Sequence, residues 1–209
     1  MRKKSHISLA KHIVDHSKIQ NFSKHKKAFY VGSILPDCKP SFLTKRHEID
    51  ETFDLVVKGI EKLTKGYKSI EELSTMYFTK LGEVVHYVAD YFTFPHNKEY
   101  LGNMTEHCIY EGKLKHKLRE YIQNITLKET EEWKKGTWFE QEREFTSVAD
   151  ICDFIRKAHD WYIHQETHTI EADCRYIVEV CSKLVQAILH LCILECEASF
   201  VQLQKGITN

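Results

Sequence analysis

Residues 86–114 read HYVADYFTFPHNKEYLGNMTEHCIYEGKL. Pro95 cannot continue a helix, because it lacks an amide hydrogen and its ring clashes with the turn before it. The stretch therefore divides into the end of one helix and the start of another, joined by a short connection. His86 and Asp90 stand four apart on the first helix, and His107 and Glu111 four apart on the second. Residues at that spacing share a helix face. Two antiparallel helices so equipped aim four ligands into the gap between them, and His96 supplies a fifth from the connection. Imidazole nitrogen with carboxylate oxygen suits zinc. Carboxylates also bridge two ions, as a multi-metal phosphoester site requires. Any one such pair is ordinarily a surface ion pair or a hydrogen-bonded histidine. The five together, on consecutive helices, outweigh that reading.

Apolar residues at helical spacing continue on both sides. Ser5 is expected to cap a helix reaching about Asp15, with Ile7, Ala10, Ile13 and Val14 inward. A second helix is expected over about Ser23–Val31, closed by Gly32 in the left-handed conformation. Ile34–Asp37 reads as a loop, and a third helix covers roughly His47–Lys65, with Gly66 just past its end. Ser69 with Glu72 is a capping-box pattern, expected to open the helix that bears His86. The helix bearing His107 is expected over about Thr105–Gln123, and a short one around Glu129–Lys135. Ser147 is placed to cap a helix over Val148–His168, and a last helix runs from about Glu171 to Gln204. Few segments alternate at period two, and Gly (8) and Pro (3) are scarce, so no sheet is expected. The expected fold is all-α: a single multi-helix domain over 1–209, its motif-bearing part about 1–119 and its C-terminal helices about 147–205.

Composition narrows the function. A chain of 209 residues is long enough for one domain with a substantial core. Lys+Arg and Asp+Glu are both 30, which speaks against a broadly basic nucleic-acid binder. Thirteen histidines in 209 residues make about 6 %, against roughly 2 % in ordinary globular composition, and neutral imidazole is the commonest metal ligand. The seven cysteines include no CxxC pair, and Cys174, Cys181, Cys192 and Cys196 lie in an apolar helical segment. Reduced thiols in a cytosolic protein fit that usage better than a disulfide framework. Cys38 and Cys108, beside candidate ligands, read as packing residues. MRKKSHISLAKHIVDHSK has basic residues without the continuous apolar stretch of a secretory signal. The longest apolar candidate, Leu184–Leu194, holds Gln186 and His190 and falls short of the ~20 residues of a membrane span. A cytoplasmic location is the expectation.

The string HYVADYFTFPHN…EHCIYEGKL resembles the zinc-dependent phospholipase C family, whose fold is shared with the single-strand-specific zinc nucleases. The family pattern, His-x3-Asp-x5-His and then His-x3-Glu, falls on His86, Asp90, His96, His107 and Glu111. Upstream, GSILPD matches its Asp after a proline and gives Asp37, TKRHEID gives His47, and SHISLAKHI gives His6. The resemblance runs from the N-terminus to about Leu114. It implies an ion held by Asp37, His47, His86 and Asp90, a second held by His96, His107 and Glu111, and a third held partly by His6 and Asp90, with Asp90 bridging. The family completes the third site with an N-terminal Trp. This chain has Met1 there, so either Met1 offers its amine or the third site is weak; two to three Zn2+ are expected.

The resemblance further implies a phospholipase C-like phosphoester hydrolase. In it a hydroxide activated by several zinc ions attacks phosphorus, and Asp37 orients or deprotonates the attacking water. The implied substrate is a phospholipid or another phosphodiester, met in transient contact with a membrane surface, with no stable nucleic-acid partner. A nuclease or nucleotidase on the same scaffold is the alternative, although Glu111 leans toward the phospholipase branch. A metal-stabilised helical protein that binds a partner without catalysis is a further one.

Other signals rank lower. Ala158-His159-Asp160 contains the doublet of the HD-domain phosphohydrolases, but a partial match is cheap in a chain so rich in His and Asp. His164 and His168 read as an exposed His-rich turn, and His12, His16 and His25 as a solvated basic face. Glu-x-x-His pairs on successive long helices, which a ferritin-like di-iron site needs, are missing. Trp133, Trp138, Trp161, Tyr87 and Phe92 either line a substrate cleft or pack.

Overall fold

The computed structural model describes residues 1–17, 20–39, 47–67, 69–127 and 145–207. Its helices are α1 (Lys3–Asp15), α2 (Gln20–Gly32), α3 (Ile49–Thr64), α4 (Thr75–Tyr91), α5 (Met104–Leu127), α6 (Val148–Ile163) and α7 (Ile170–Ile207). Short 3-10 turns at Pro36–Cys38, Ile70–Glu72 and Phe94–His96 punctuate them, and there is no strand among the described residues. The fold is all-α, as the spacing predicts.

The helix starts show which side chains govern each boundary. Ser147 caps α6: its hydroxyl accepts from the Asp150 amide (3.2 Å) and donates to the Asp150 carboxylate (2.8 Å). Asn103 does the same for α5. Its side-chain oxygen accepts from Thr105 and Glu106, and the Glu106 carboxylate reaches back to the Asn103 amide at 2.8 Å. Two expected caps are displaced. Ser5 lies buried inside α1, which starts after Arg2. Ser69 and Glu72 frame only the turn at Ile70–Glu72; α4 begins after Ser74, whose hydroxyl accepts from Tyr77. Helix α6 stops at Ile163 rather than His168. The expected short helix at Glu129–Lys135, with Trp133 and Trp138, lies outside the described residues.

Helix α4 is buried on nearly every side, and packs against α2, α3 and α7. The α2–α4 contact is unusually close, and glycine makes it so. A Cβ on Gly82 would lie 2.4 Å from the Phe29 carbonyl oxygen, and one on Gly32 would lie 2.0 Å from the Thr79 carbonyl oxygen. Gly32 thus serves close approach, not the left-handed cap the sequence suggests; among the described residues Gly66 alone has a positive φ, at 85°. Helix α7 is long and apolar enough over Ile170–Phe200 to cross a membrane by length and composition, yet 61 % of that window is buried in the protein. It packs on α3, α4, α5 and α6, which is the environment of a core helix.

The thiols divide by position. Cys174, Cys181, Cys192 and Cys196 are buried and unpaired in disulfides, whereas Cys38 and Cys108 are exposed. The packing role expected of the latter two is therefore corrected: both sit on solvent-facing sides of short or terminal helical segments. His12 is also corrected, being buried in α1 rather than solvated.

Candidate metal centre

Burying His86 and Asp90 in the most enclosed helix of the protein demands partners, since uncompensated polar groups there are costly. They face the same way from successive turns of α4, 3.4 Å apart (Nε2 to Oδ2). The turn at Pro36–Cys38 brings Asp37 to 3.5 Å from His86 Nε2, and the approach to α3 brings His47. His47 Nδ1 donates to Asp90 Oδ2 at 2.9 Å and lies 3.1 Å from His86 Nε2. One ligand atom from each of Asp37, His47, His86 and Asp90 lies within 4.8 Å of all the others.

The close α2–α4 contact also brings the Ser33 carbonyl to His86, whose Nδ1–H donates to it at 2.8 Å. The imidazole proton is thereby committed to Nδ1, and Nε2 presents its lone pair to the carboxylates. A histidine that ligates a metal is oriented in this way, by a backbone carbonyl behind it. Burial and the neighbouring His6 lower the proton affinity of His86, which keeps it neutral.

A second set lies beside the first. The turn at Phe94–His96 and the first turns of α5 bring His96, His107 and Glu111 together, again within 4.8 Å. His96 Nε2 and His107 Nε2 stand 3.1 and 3.2 Å from Glu111 Oε1. Burial favours the neutral acid at Glu111, but hydrogen bonds from both histidines and the Met1 ammonium outweigh it and push its proton affinity down.

His6 and Met1 flank both sets. The His6 ring stacks on His86, with centroids 3.9 Å apart, and its Nε2 approaches Asp90 Oδ1 at 3.3 Å. His6 is buried, yet neither ring nitrogen makes a hydrogen bond. A buried imidazole left in that condition calls for a partner beside Asp90. The Met1 amine lies 2.8 Å from Asp90 Oδ1, 2.9 Å from Glu111 Oε1 and 2.8 Å from His96 Nε2. It sits between the two sets, closer to the second than the expected pairing with His6 suggests. Burial lowers its proton affinity, and the two carboxylates more than restore it.

The residues present therefore fit zinc on chemical grounds. The donors are imidazole nitrogens and carboxylate oxygens, the types zinc prefers, gathered in two sets around a fully buried Asp90. Beyond these sets lies a cleft of about 950 Å³, lined by Arg2, Asp37, His47, Lys98, His96, Met104, His107 and Glu111 among others.

Of the other sequence signals, none joins either set. His159 donates from Nε2 to Asn97 Oδ1 at 2.8 Å, and Asp160 is exposed beside His164. His168 stacks on Phe94, and Phe92 packs among Tyr162 and Tyr176. Trp161 is half exposed, and Tyr87 packs edge-on to His47 and His86. Sequence reasoning missed Asn97, whose amide donates to the carbonyls of Tyr91, Thr93 and Phe94 and so shapes the turn that carries His96. An Asn immediately after a Pro-His turn is the signal that could have found it.

Searches of curated proteins and of solved structures returned no match. The family model for zinc dependent phospholipase C matches residues 5–169, which span both donor sets and extend through α6. With most of its length matched, and with the helical fold and donor chemistry described above, the chain belongs to the zinc-dependent phospholipase C family.

Proposed function

We propose that the protein is a phospholipase C-like hydrolase of phosphodiesters, with phospholipid as substrate. In this reading Asp37, His47, His86 and Asp90 hold one zinc ion, His96, His107 and Glu111 a second, and His6, Asp90 and the Met1 amine contribute to a third. The observation that carries it is the state of His86, pinned by the Ser33 carbonyl with Nε2 turned toward Asp37 and Asp90. Zinc bound there would lower the pKa of coordinated water to about 7 and neutralise charge developing on phosphoryl oxygens.

The chain's own groups supply the rest. Asp37 is the carboxylate of its set that faces the cleft, whereas Asp90 is wholly buried. Asp37 is thus the group that orients the attacking water and takes its proton. Arg2 and Lys98 line the same cleft as cations for a phosphate; Arg2 is steadied by the Cys108 carbonyl at 2.8 Å, and Lys98 by Asp50. Leu101 and Met104, 96 % and 73 % exposed, lie on the segment between His96 and His107, with Met104 in the cleft wall. An exposed Met104 in the cleft wall, with exposed Leu101 on the same segment, supports a lipid substrate met at a surface.

The test is hydrolysis of a chromogenic phosphodiester, phospholipid vesicles and single-stranded nucleic acid, each with and without added zinc. Zinc-dependent turnover highest on the phospholipid is expected. Faster turnover of nucleic acid would transfer the site to the nuclease reading, and zinc binding without turnover of any substrate would make the protein a metal-stabilised scaffold.

A further inference from the structure

Asp173 lies in the first turns of α7 with its side chain fully buried. It occupies the stripe that continues through Ile177, Val180, Leu184 and Ile188, where an apolar residue is expected. A carboxylate there must be met by donors, and three converge on it. The Phe94 amide and the Tyr110 hydroxyl donate to Oδ2, each at 3.0 Å, and the Tyr162 hydroxyl donates to Oδ1 at 2.7 Å.

The origin of these donors gives the arrangement its meaning. Phe94 opens the 3-10 turn that ends at His96, and no side chain of the preceding Thr93 caps that turn. Tyr110 stands on α5, one residue before Glu111 and three after His107. Tyr162 anchors the carboxylate to α6 from the far side. One buried group therefore grips, from behind, both segments that carry the second donor set. Two of these bonds lead to that set's supports and the third to α6, and none of the three involves Asp37, His47, His86 or Asp90.

We infer that Asp173 is a positioning residue for the His96, His107 and Glu111 group, fixing the turn against α5 so that the three ligand atoms converge on one ion. The inference rests on the reading of that group as a metal site. Phe94, Tyr110 and Tyr162 lie within the matched family residues 5–169, and Asp173 itself lies past them.

Zinc titration of the whole chain against a chromogenic chelator tests it. The phase abolished by His107→Ala reports the second group, and the phase abolished by His86→Ala reports the first. Asp173→Ala should weaken the second-group phase by about tenfold, the low end of the loss seen when groups bonded to the ligands themselves are removed, since it acts one step further out, and leave the other within about twofold. It should add nothing to the metal loss of His107→Ala, because residues acting through one site are not additive. Asp173→Asn should restore wild-type affinity: the amide oxygen accepts the Phe94 and Tyr110 bonds, and the amide nitrogen donates to the Tyr162 oxygen. A merely structural role predicts no such rescue on one phase alone.

If Asp173→Ala does not fold, Tyr162→Phe should weaken the same phase by a smaller factor. Weakening of both phases in proportion to lost thermal stability, or of neither, overturns the inference. A wild type that binds no zinc, or binding that survives both His86→Ala and His107→Ala, overturns the metal-site reading instead and the inference falls with it.

Discussion

At the scale of single residues, the chemistry of His86 is set by what lies behind it. The Ser33 carbonyl fixes its tautomer, and its Nε2 faces two carboxylates and His47. Asp90 is still more central, since it touches His6, His47, His86 and the Met1 amine. Burial disfavours its charge, but the Met1 ammonium and the surrounding histidines hold its carboxyl well below the usual range. Asp90→Asn should therefore cost more activity than any other single change, and His86→Ala and His107→Ala should each release one ion; metal analysis and rate measurements check both. His159→Ala should keep the metal and lose about 1 kcal/mol of stability, the ordinary worth of a hydrogen bond, because Asn97 loses the donor on its Oδ1. A denaturant melt checks the latter, and metal loss equal to that of His86→Ala would revive the HD-doublet reading. His86, Asp90, His107 and Glu111 were legible because helix spacing places them on shared faces. Asp37, His47 and His6 come from separate segments that no local periodicity connects, and only the family resemblance gathers them. The Ser33 carbonyl was illegible, since a backbone acceptor leaves no mark in side-chain identity.

At the scale of elements, the site depends on how closely α2 approaches α4. Gly82→Ala puts a methyl group 2.7 Å from the Ser33 amide nitrogen and 2.4 Å from the Phe29 carbonyl oxygen, both backbone atoms that cannot turn aside. The helices must separate, which withdraws the Ser33 carbonyl from His86. The expected outcome is a loss of about 1–3 kcal/mol, typical of overpacking, together with weaker zinc binding at the Asp37 group. Thermal melts and zinc titration read the two effects, and unchanged zinc affinity would show that the Ser33 bond does not set the site. The existence and order of the seven described helices were legible from their apolar stripes. Their starts were less so, because a serine near a boundary competes with others: Ser74 prevails over Ser69, and Arg2 precedes a helix that swallows Ser5. Gly32 was legible as special, but close approach and left-handed turning both select glycine, and sequence alone does not separate them.

At the scale of the whole molecule, the donor sets lie between helices that also make the core, so an ion held there would be coupled to the fold. Removing zinc with a chelator should lower the melting temperature, because an ion bound only by the folded state stabilises it by mass action; an unchanged melting temperature would place the ions outside the core. The brace at α7 adds a dependence on pH. Burial raises the Asp173 carboxyl to about 7, against the hydrogen bonds from Phe94, Tyr162 and Tyr110, whereas an unfolded Asp titrates near 3.9. From about pH 4 to 7 the folded chain thus keeps a proton that the unfolded chain has released. Linkage then requires this group's contribution to stability to be complete at the acid end, to fall as pH rises through that window, and to level off above 7. Asp173→Asn cannot ionise, so its stability should lack that descent. Other titrating groups, including the candidate metal ligands, are common to both proteins and largely cancel in the difference. Urea melts of wild type and Asp173→Asn, run in parallel from pH 4 to 8, should give a difference that shifts steadily in favour of the variant up to about pH 7 and then stays constant. A difference that is flat across the range would mean that the three donors keep Asp173 ionised throughout, and that charge as well as shape belongs to the brace.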